Sequence, residues 1–315
     1  MRIVIALAEN ALHKRGEKAS ADEEARSVRV AAARLAGVAD GNDLVIMHAE
    51  GHRAVIPVSQ DQGRRANADD SHCVLDAEPH VRHGCRFELE LRNCLPSVRA
   101  CATLLTMVEV DLADPAFEHP DKPVGTVFAG ERALAAARAK HWSMAYDGVG
   151  YRRVVPAPRP MRLLQSEPLR RLIEQGTIVM CAGGGVPVVS AADGALHSVE
   201  AIIDPYGGAA LVAEAIEADL FVIATDMAGV FLDWGTANSK LLRHGHPSAL
   251  RELACAAGTM GPKLQAASHF AERTGRRAVI GALADVGRLV EGTAGTTISC
   301  ERVDPRCFAG GSVAR

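Results

Sequence analysis

Short apolar runs alternate with amphipathic stretches along the chain. The runs predicted to be buried strands are "RIVIAL" (2–7), "DLVIMH" (43–48), "TLLTMVEV" (103–110), "TIVMCA" (177–182), "LFVIAT" (220–225) and "RAVIGAL" (277–283). Strands that alternate with helices are typical of a mostly parallel sheet covered by helices on both faces. The pattern therefore predicts an α/β fold, a three-layer αβα sandwich.

The predicted helices carry recognisable ends. Residues 21–37 follow Ser20, and Glu23 three positions later completes a capping box. Residues 166–176 begin with Ser166 as a predicted N-cap and end with a glycine. Residues 261–275 have Pro262 in the first turn and Gly275 at the far end, the usual asymmetry of helix termini.

Three regions lack this regularity. Residues 59–72 are polar and without periodicity, which predicts a loop, and the tail after Cys300 is predicted to fray. Residues 110–128 hold three prolines among charged residues, which indicates an extended excursion or small subdomain.

A cluster of metal-ligand residue types begins at the end of the polar stretch 59–72. Its members are His72, Cys73, His80, His83 and Cys85, and their spacing matches no standard zinc module. A polar loop with ordinary histidines is the preferred interpretation, and a metal site stays open.

Composition narrows the function classes. The chain has 315 residues, is 48% hydrophobic and carries a net charge of −3, which argues against a nucleic-acid partner. No apolar run approaches the roughly 20 residues of a membrane span, and the N-terminus lacks the layout of a signal peptide. The eight cysteines are scattered and are expected to be reduced thiols. We expect a soluble cytoplasmic protein with a small-molecule substrate and no membrane partner.

Three motifs lie at predicted strand ends or at a helix start, and the last of them suits a phosphate. "CAGGGVPVV" (181–189) is read as a strand followed by a run of glycines, and "ATDMAGVFLDWGT" (224–236) is a strand that ends at Asp226. "GTMGPKLQAA" (258–267) puts Lys263 in the first turn of a helix, where free N–H groups, the helix dipole and an ammonium would meet an anion. Each motif alone also fits a tight turn or a solvated lysine.

Taken together, the motifs resemble those of carbamate kinase, of the amino-acid-kinase superfamily, along nearly the whole chain. The matching stretches follow the family's order: "IAL..NAL.KRGE", "DKPVG" (121–125), "YRRVVPAPRP" (151–160), "CAGGGVPVV", "EAIID" (200–204), "ATDMAGVFLDWGT", "GTMGPK" and "GTAGTTIS" (292–299). The resemblance implies a homodimer that transfers a phosphoryl group between ATP and carbamate, or the reverse, with ATP or ADP and Mg²⁺ as cofactors.

The same resemblance implies one domain over residues 1–315. Residues 1–175 would form the carbamate half, with an excursion at about 110–155, residues 176–300 the nucleotide half and 301–315 a tail.

The sequence departs from the family at the chemistry. The family's first Gly-Gly pair is Ala8-Glu9 here, the second glycine loop carries Glu50, and Asp-Lys-Asp reads Asp204-Pro205-Tyr206. Each glutamate would cost on the order of 4 kcal/mol if it lay about 4 Å from a phosphate charge at a near-surface dielectric. Proline supplies no cation, so efficient carbamate phosphorylation is not expected.

The preferred hypothesis is therefore a repurposed enzyme on this scaffold, acting on a small carbamate-like or carboxylate substrate. The candidate acids and bases are Glu9, Glu50, His52 and Tyr206. They are expected to share one pocket with Arg53 at the carboxyl ends of the strands. The candidate substrate anchors are Asn10, Arg53, Lys122 and Asp204, and the candidate nucleotide residues are Gly183, Gly184, Gly185, Asp226, Gly258 and Lys263.

Two alternatives stay open: a weakly active carbamate kinase, and a non-catalytic pseudokinase that binds a nucleotide or another ligand. Cys181 lies at the predicted carboxyl edge of the sheet, but strand packing is preferred over a nucleophilic role for its thiol.

Overall fold

A computed structural model describes residues 1–12, 20–48, 72–146, 148, 150–256 and 260–301. The strands are β1 (Arg2–Leu7), β2 (Asp43–His48), β3 (Cys101–Glu109), β4 (Lys122–Phe128), β5 (Met144–Tyr146), β6 (Tyr151–Val155), β7 (Arg162–Leu163), β8 (Ile178–Ser190), β9 (Leu196–Ser198), β10 (Leu220–Thr225), β11 (Val230–Leu232), β12 (Lys240–Leu242), β13 (His244–Gly245), β14 (Arg277–Ala282) and β15 (Thr296–Ile298). The helices are α1 (Glu9–Leu12), α2 (Ala21–Ala39), α3 (His72–Cys94), α4 (Gly130–Lys140), α5 (Ser166–Glu174), α6 (Pro205–Ala215), α7 (Pro247–Ala256), α8 (Gly261–Thr274) and α9 (Val286–Glu291).

One large sheet runs through the centre in the order β13-β15-β14-β10-β1-β2-β8-β3-β7, and β9 pairs with β8. The five central strands from β10 to β3 are mutually parallel. Antiparallel pairs occur where β15, β7 and β9 join. The prediction of a mostly parallel sheet is confirmed.

Alternation along each strand divides the core into two layers. In β1, Val4 and Ala6 pack on one side with residues of α5, α6, α7 and α8. Ile3, Ile5 and Leu7 pack on the other side with residues of α2, α3 and α9. Successive strand side chains point to opposite faces, so a strand buried on both sides is apolar throughout. This arrangement is the predicted three-layer sandwich.

The helix ends follow their sequence signals with one exception. The capping box of α2 is formed, because Ser20 Oγ accepts from the Glu23 N–H at 3.3 Å while a Glu23 carboxylate oxygen accepts from the Ser20 N–H at 2.8 Å. At α8 the C-cap glycine, Gly275, has φ of 69°, as its sequence predicts. In α5 the prediction was wrong, since Ser166 is already helical and the preceding Gln165 makes no side-chain cap bond.

The loop predicted around the histidine cluster is wrong, because residues 72–94 form α3. Its buried stripe is His80, Gly84, Phe87 and Leu91, at helical spacing. Two of the four buried positions hold a histidine and a glycine in place of large apolar residues. The apolar periodicity that indicates a helix is therefore weak in this sequence. Residues 59–71 lie outside the described residues.

The glycine run is also not a turn after a strand. Strand β8 continues through it, with Gly183 at φ 71° and Gly185 at φ 103°. The pairing of β3 with β8 shifts register between Leu105 and Met107. Glycines at left-handed φ allow a strand to bulge without ending, which is the physical reason for the long β8.

The predicted excursion is a small subdomain. Strands β4, β6 and β5 form a separate three-stranded antiparallel sheet, and α4 connects β4 to β5. Lys122 is the first residue of β4. Among the described residues, the helices are too short or too polar to traverse a bilayer.

Candidate active site

The carboxyl ends of the parallel strands lie side by side. Leu7 at the end of β1 is paired with His48 at the end of β2 and with Ala224 in β10. The Ala8 N–H donates to the Ala224 carbonyl at 2.8 Å, which carries this register one residue beyond the strand. The residues that follow, Glu9 and Asp226, are therefore brought to the same edge, where open α/β sheets bind ligands.

Asp204 is held on two sides at this edge. One carboxylate oxygen caps α6 by accepting from the N–H groups of Tyr206 and Gly207 at 3.0 and 3.1 Å. The other oxygen lies 3.2 Å from Lys122 Nζ, although the two residues are 82 positions apart. The side chains of Lys122 and Asp204 are 26% and 27% exposed, so this pair is open to a ligand.

Tyr206 and Lys263 form a second, more buried pair. Lys263 Nζ lies 4.6 Å from the centroid of the Tyr206 ring, a cation–π distance. Lys263 is 4% exposed and Tyr206 is 9% exposed. The ammonium group of Lys263, in the first turn of α8, thus lies over the ring of Tyr206, in the first turn of α6.

Burial raises the pKa of the Tyr206 hydroxyl above its ordinary value, and the charges of Asp204, Glu9 and Asp226 raise it further. The phenol therefore keeps its proton at neutral pH, so Tyr206 can donate a hydrogen bond but cannot act as a base. All three carboxylates are thus close enough to influence the Tyr206 hydroxyl. The shared pocket expected for Glu9 and Tyr206 stays a prediction.

Glu9 is the exposed first residue of α1, and Asn10 beside it is half-buried. Asp226 directly follows β10, is exposed, and accepts a hydrogen bond from the Thr225 hydroxyl at 3.0 Å. Four predicted site residues lie outside the described residues: Glu50, His52, Arg53 and Gly258. The pocket expected to be shared by Glu9 and Glu50 stays a prediction.

The glycines of β8 are buried and allow close packing. A Cβ on Gly184 would lie 2.6 Å from the Ile203 carbonyl oxygen and 3.2 Å from Pro205 Cα, at the start of α6. A Cβ on Gly183 would meet the His80 ring at 2.5 Å. These glycines let α6 and α3 approach β8. A nucleotide role for Gly183, Gly184 and Gly185 stays a prediction.

The sequence missed a cavity that opens beside the Lys122–Asp204 pair. Its volume is about 490 Å³, and it extends between α6 and α8. At its wall the His269 Nε2 atom lies 3.3 Å from a Glu214 oxygen and 3.5 Å from an Arg159 nitrogen. Burial is the main cause that lowers the pKa of His269. Helical spacing places four of its lining residues on one face of α8, so this part of the wall could have been predicted from the sequence. These residues are Pro262, Gln265, Ala266 and His269.

His80 and His83 of α3 both lie against neighbouring parts of the fold. His80 lies beneath Gly183, as described, while His83 Nε2 is 3.4 Å from a Glu24 oxygen. The ring of His83 meets that of His48 edge-on at 5.4 Å. Within the described ranges, no group of three or more histidine, cysteine or acidic side chains is arranged to hold a metal ion.

Comparison with known proteins identifies the family. The family model described as "Amino acid kinase family" matches residues 1–282. A carbamate kinase of Haemophilus influenzae is 45% identical over 300 residues, covering 95% of this chain and 97% of that protein. A carbamate kinase of Rhizobium meliloti is 40% identical over 302 residues, with coverages of 95% and 93%.

A solved structure agrees. Carbamate kinase from Giardia lamblia bound to AMP-PNP superposes with a TM-score of 0.84 at 27% identity, covering 95% of this chain and 98% of that one. The fold is therefore that of the carbamate kinases. With a family match over nine-tenths of its length and close relatives over nearly all of it, this chain belongs to the amino acid kinase family.

Proposed function

We propose that this chain is a slow phosphotransferase that moves a phosphoryl group between ATP and carbamate, or from carbamoyl phosphate to ADP. The proposal rests on two lysines that match the family's motifs, Lys122 on β4 and Lys263 on α8. Their ammonium groups lie against Asp204 and Tyr206, at the start of α6. Phosphoryl transfer depends mainly on positioning and charge neutralisation, which two held ammonium groups can supply.

The cofactors fit the same edge. Mg²⁺ bound with a nucleotide needs only one or two carboxylates, because the phosphates and waters supply its other ligands. The exposed carboxylate of Asp226 offers such oxygens. The nucleotide is proposed by analogy with the Giardia lamblia carbamate kinase bound to AMP-PNP.

The rate is expected to be low for two reasons. Pro205 stands where the family's Asp-Lys-Asp has its lysine, and the loss of one well-placed stabilising group typically costs about 10²–10³ in rate. Glu9 adds a repulsive charge, but it is exposed. Its cost at 4 Å therefore falls between about 1 kcal/mol in water and about 4 kcal/mol near a protein surface. These effects slow the reaction without excluding it.

A second candidate function is nucleotide binding without phosphoryl transfer, or a changed reaction on a carbamate-like or carboxylate substrate. The replacement of two phosphate-binding features at one edge, by Glu9 and Pro205, favours it. Under this candidate Glu9 would act as an acid or base, and Tyr206 as a hydrogen-bond donor, while Lys263 still holds the nucleotide.

The deciding experiment measures ADP release from ATP and Mg²⁺ with and without carbamate, and ATP formation from carbamoyl phosphate and ADP. Carbamate-dependent turnover that falls about 10²-fold in Lys263→Met supports the first candidate. Lys240→Met, a change of an exposed lysine on β12, is the matched control and should retain full activity.

Two further results separate the candidates. The double variant Glu9→Gly with Pro205→Lys should raise carbamate-dependent turnover, since it removes a repulsive charge and restores a cation. If carbamate never stimulates ADP release while ATP still raises the melting temperature, the first candidate is wrong and the second is supported. ATP at a hundredfold excess over Kd would add about 2.7 kcal/mol of stability.

A further inference from the structure

Arg153 joins the excursion to the segment that carries Asp204. Its side chain is 8% exposed although it belongs to β6, the middle strand of the small sheet. The guanidinium contacts a Glu200 carboxylate oxygen and lies 4.5 Å from the centroid of the Trp142 ring. Glu200 is four residues before Asp204 in the chain. Burying a charged side chain costs free energy, so the position of Arg153 between two parts of the fold calls for an explanation.

The ion pair is one of several ties between the same two stretches of chain. Arg153 is paired across the small sheet with Val124, two residues from Lys122. Val124, Val155 and Ile202 form a separate apolar cluster. The Ile202 N–H donates to the Pro156 carbonyl at 2.9 Å. Two ion pairs thus connect the excursion to residues 200–204. The Lys122–Asp204 pair lies at the proposed active site, and the Arg153–Glu200 pair lies away from it.

We propose that Arg153 is a positioning residue for Lys122: by holding the excursion to Glu200 and Trp142, it fixes where the Lys122 ammonium lies relative to Asp204. This inference rests on the proposed phosphotransfer for its catalytic consequence, but its structural content does not.

The chemistry of the contact favours arginine specifically. A planar guanidinium can lie against an aromatic ring and bind a carboxylate at its edge, whereas an ammonium on a flexible stem does either less well. Burial lowers the pKa of Arg153 relative to an exposed arginine. The Arg153 side chain is buried while that of Glu200 is 42% exposed. Loss of the guanidinium should therefore loosen the excursion, and loss of the carboxylate removes the ionic partner of a buried charge.

The kinetic test compares Arg153→Met, Glu200→Gln and their double variant. A displacement of about 1 Å can cost about 10²-fold in rate. We expect kcat to fall 10- to 10²-fold in each single variant with KM for ATP unchanged, because Lys263 is untouched. The double variant should be no slower than Arg153→Met, and Arg153→Lys should recover part of the loss. Additive losses, or a loss confined to KM for ATP, would overturn the proposal.

Arg152→Met is the matched control on the same strand, because Arg152 bonds to the Gly125 carbonyl inside the excursion. It should keep kcat within about twofold. An equal loss in Arg152→Met would show that subdomain stability, not positioning, sets the rate. Melting temperatures of all variants exclude simple unfolding.

Hydrogen exchange gives a readout that needs no activity. Arg153→Met should speed amide exchange in β4 and in residues 200–204 by at least tenfold relative to Arg152→Met, while β1 and β10 stay protected. Unchanged exchange in those segments would refute the positioning role even in an active enzyme. An inactive wild-type protein with the expected exchange would refute only the proposed function.

Discussion

Each of the two lysines proposed for the active site, Lys122 and Lys263, is held by a neighbouring side chain. Lys122 is bound to the carboxylate that caps α6, and Lys263 lies on an aromatic ring, which accepts a cation without neutralising it. Lys263 is buried, at 4% exposure, with its Nζ against this ring. Under the proposed function, these contacts hold the two lysine side chains in fixed places, which is a condition for electrostatic catalysis.

Burial also sets the reactivity of the thiols. Cys181 is fully buried, and burial raises its pKa to about 12, while burial raises that of Cys101 to about 11. The thiolate is the reactive form, so both should resist iodoacetamide at pH 8 in the folded protein. Exposed Cys94 and Cys300 are the internal controls and should be alkylated. Peptide mass spectrometry measures this, and labelling of Cys181 at the rate of Cys94 would revive a nucleophilic role.

Asp219 should make stability depend on pH. Its carboxylate accepts from the Arg2 N–H at 2.8 Å, the main cause that lowers its pKa, with Arg276 nearby. A folded-state pKa below the unfolded one gives stability that is present above the unfolded pKa and lost as pH falls through the folded one. Because the side chain is 46% exposed, Asp219→Asn should cost only about 1 kcal/mol at pH 7.

The measurement is urea unfolding of both proteins at pH 7 and at pH 3. The difference in unfolding free energy should shrink at the lower pH, as the native carboxylate begins to protonate. A difference that is the same at both pH values would show that the charge contributes nothing.

At the scale of elements, the seating of α6 on β8 depends on two glycines facing each other. A Cβ on Gly208 would lie 2.3 Å from the Gly184 carbonyl oxygen. Gly208→Ala should therefore lower the unfolding free energy by about 1–3 kcal/mol, the usual cost of overpacking. Adjacent Gly207 is the control, because its Cβ would meet nothing closer than Pro160 Cγ at 3.6 Å. Gly207→Ala should stabilise by up to about 1 kcal/mol. Equal effects in denaturant unfolding would contradict this packing.

Two substitutions of Asp204 distinguish its role as the N-cap of α6 from its ion pair with Lys122. Asp204→Ala removes the acceptor for two N–H groups and should cost about 1 kcal/mol. Asp204→Asn can still cap the helix, so it should retain most of the stability while losing the ionic partner of Lys122. Thermal unfolding of both variants tests this. If the asparagine variant is as unstable as the alanine variant, the ion pair rather than the cap supports this helix.

At the scale of the whole molecule, α3 presents a stripe of exposed apolar side chains. Val81, Cys85 and Leu89 are four residues apart in succession, so they share one helical face. Val81 is 45% exposed and Leu89 is 60% exposed. An unpartnered apolar face of this kind is typical of an association surface, in line with the homodimer that the family resemblance implies.

Light scattering should accordingly give about twice the 33.3 kDa of one chain. Leu89→Glu should reduce the mass to that of a monomer, because it places a charge in the apolar face. Leu112→Glu alters an exposed leucine between β3 and β4, away from α3, and should leave the mass unchanged. A wild-type mass near 33.3 kDa at micromolar concentration would refute the dimer.

The sequence by itself determined the elements whose signals are local. Buried strands such as β1, β2 and β10 begin and end where their apolar runs do, and Ser20 with Glu23 fixes the start of α2. Their order along the chain then predicted the sandwich, because parallel strands need helices between them. Periodicity and capping act over a few residues, so a single sequence contains them in full.

Only the tertiary structure decided features whose partners are distant in sequence. Strand β8 passes through its glycines because α6 and the His80 ring fill the space that side chains would need. Helix α3 is defined by a stripe that includes a histidine and a glycine, which become core residues only against the sheet. The contacts of Lys122 with Asp204 and of Arg153 with Glu200 likewise arise when the excursion folds back. Such contacts depend on chain topology, which local patterns do not encode.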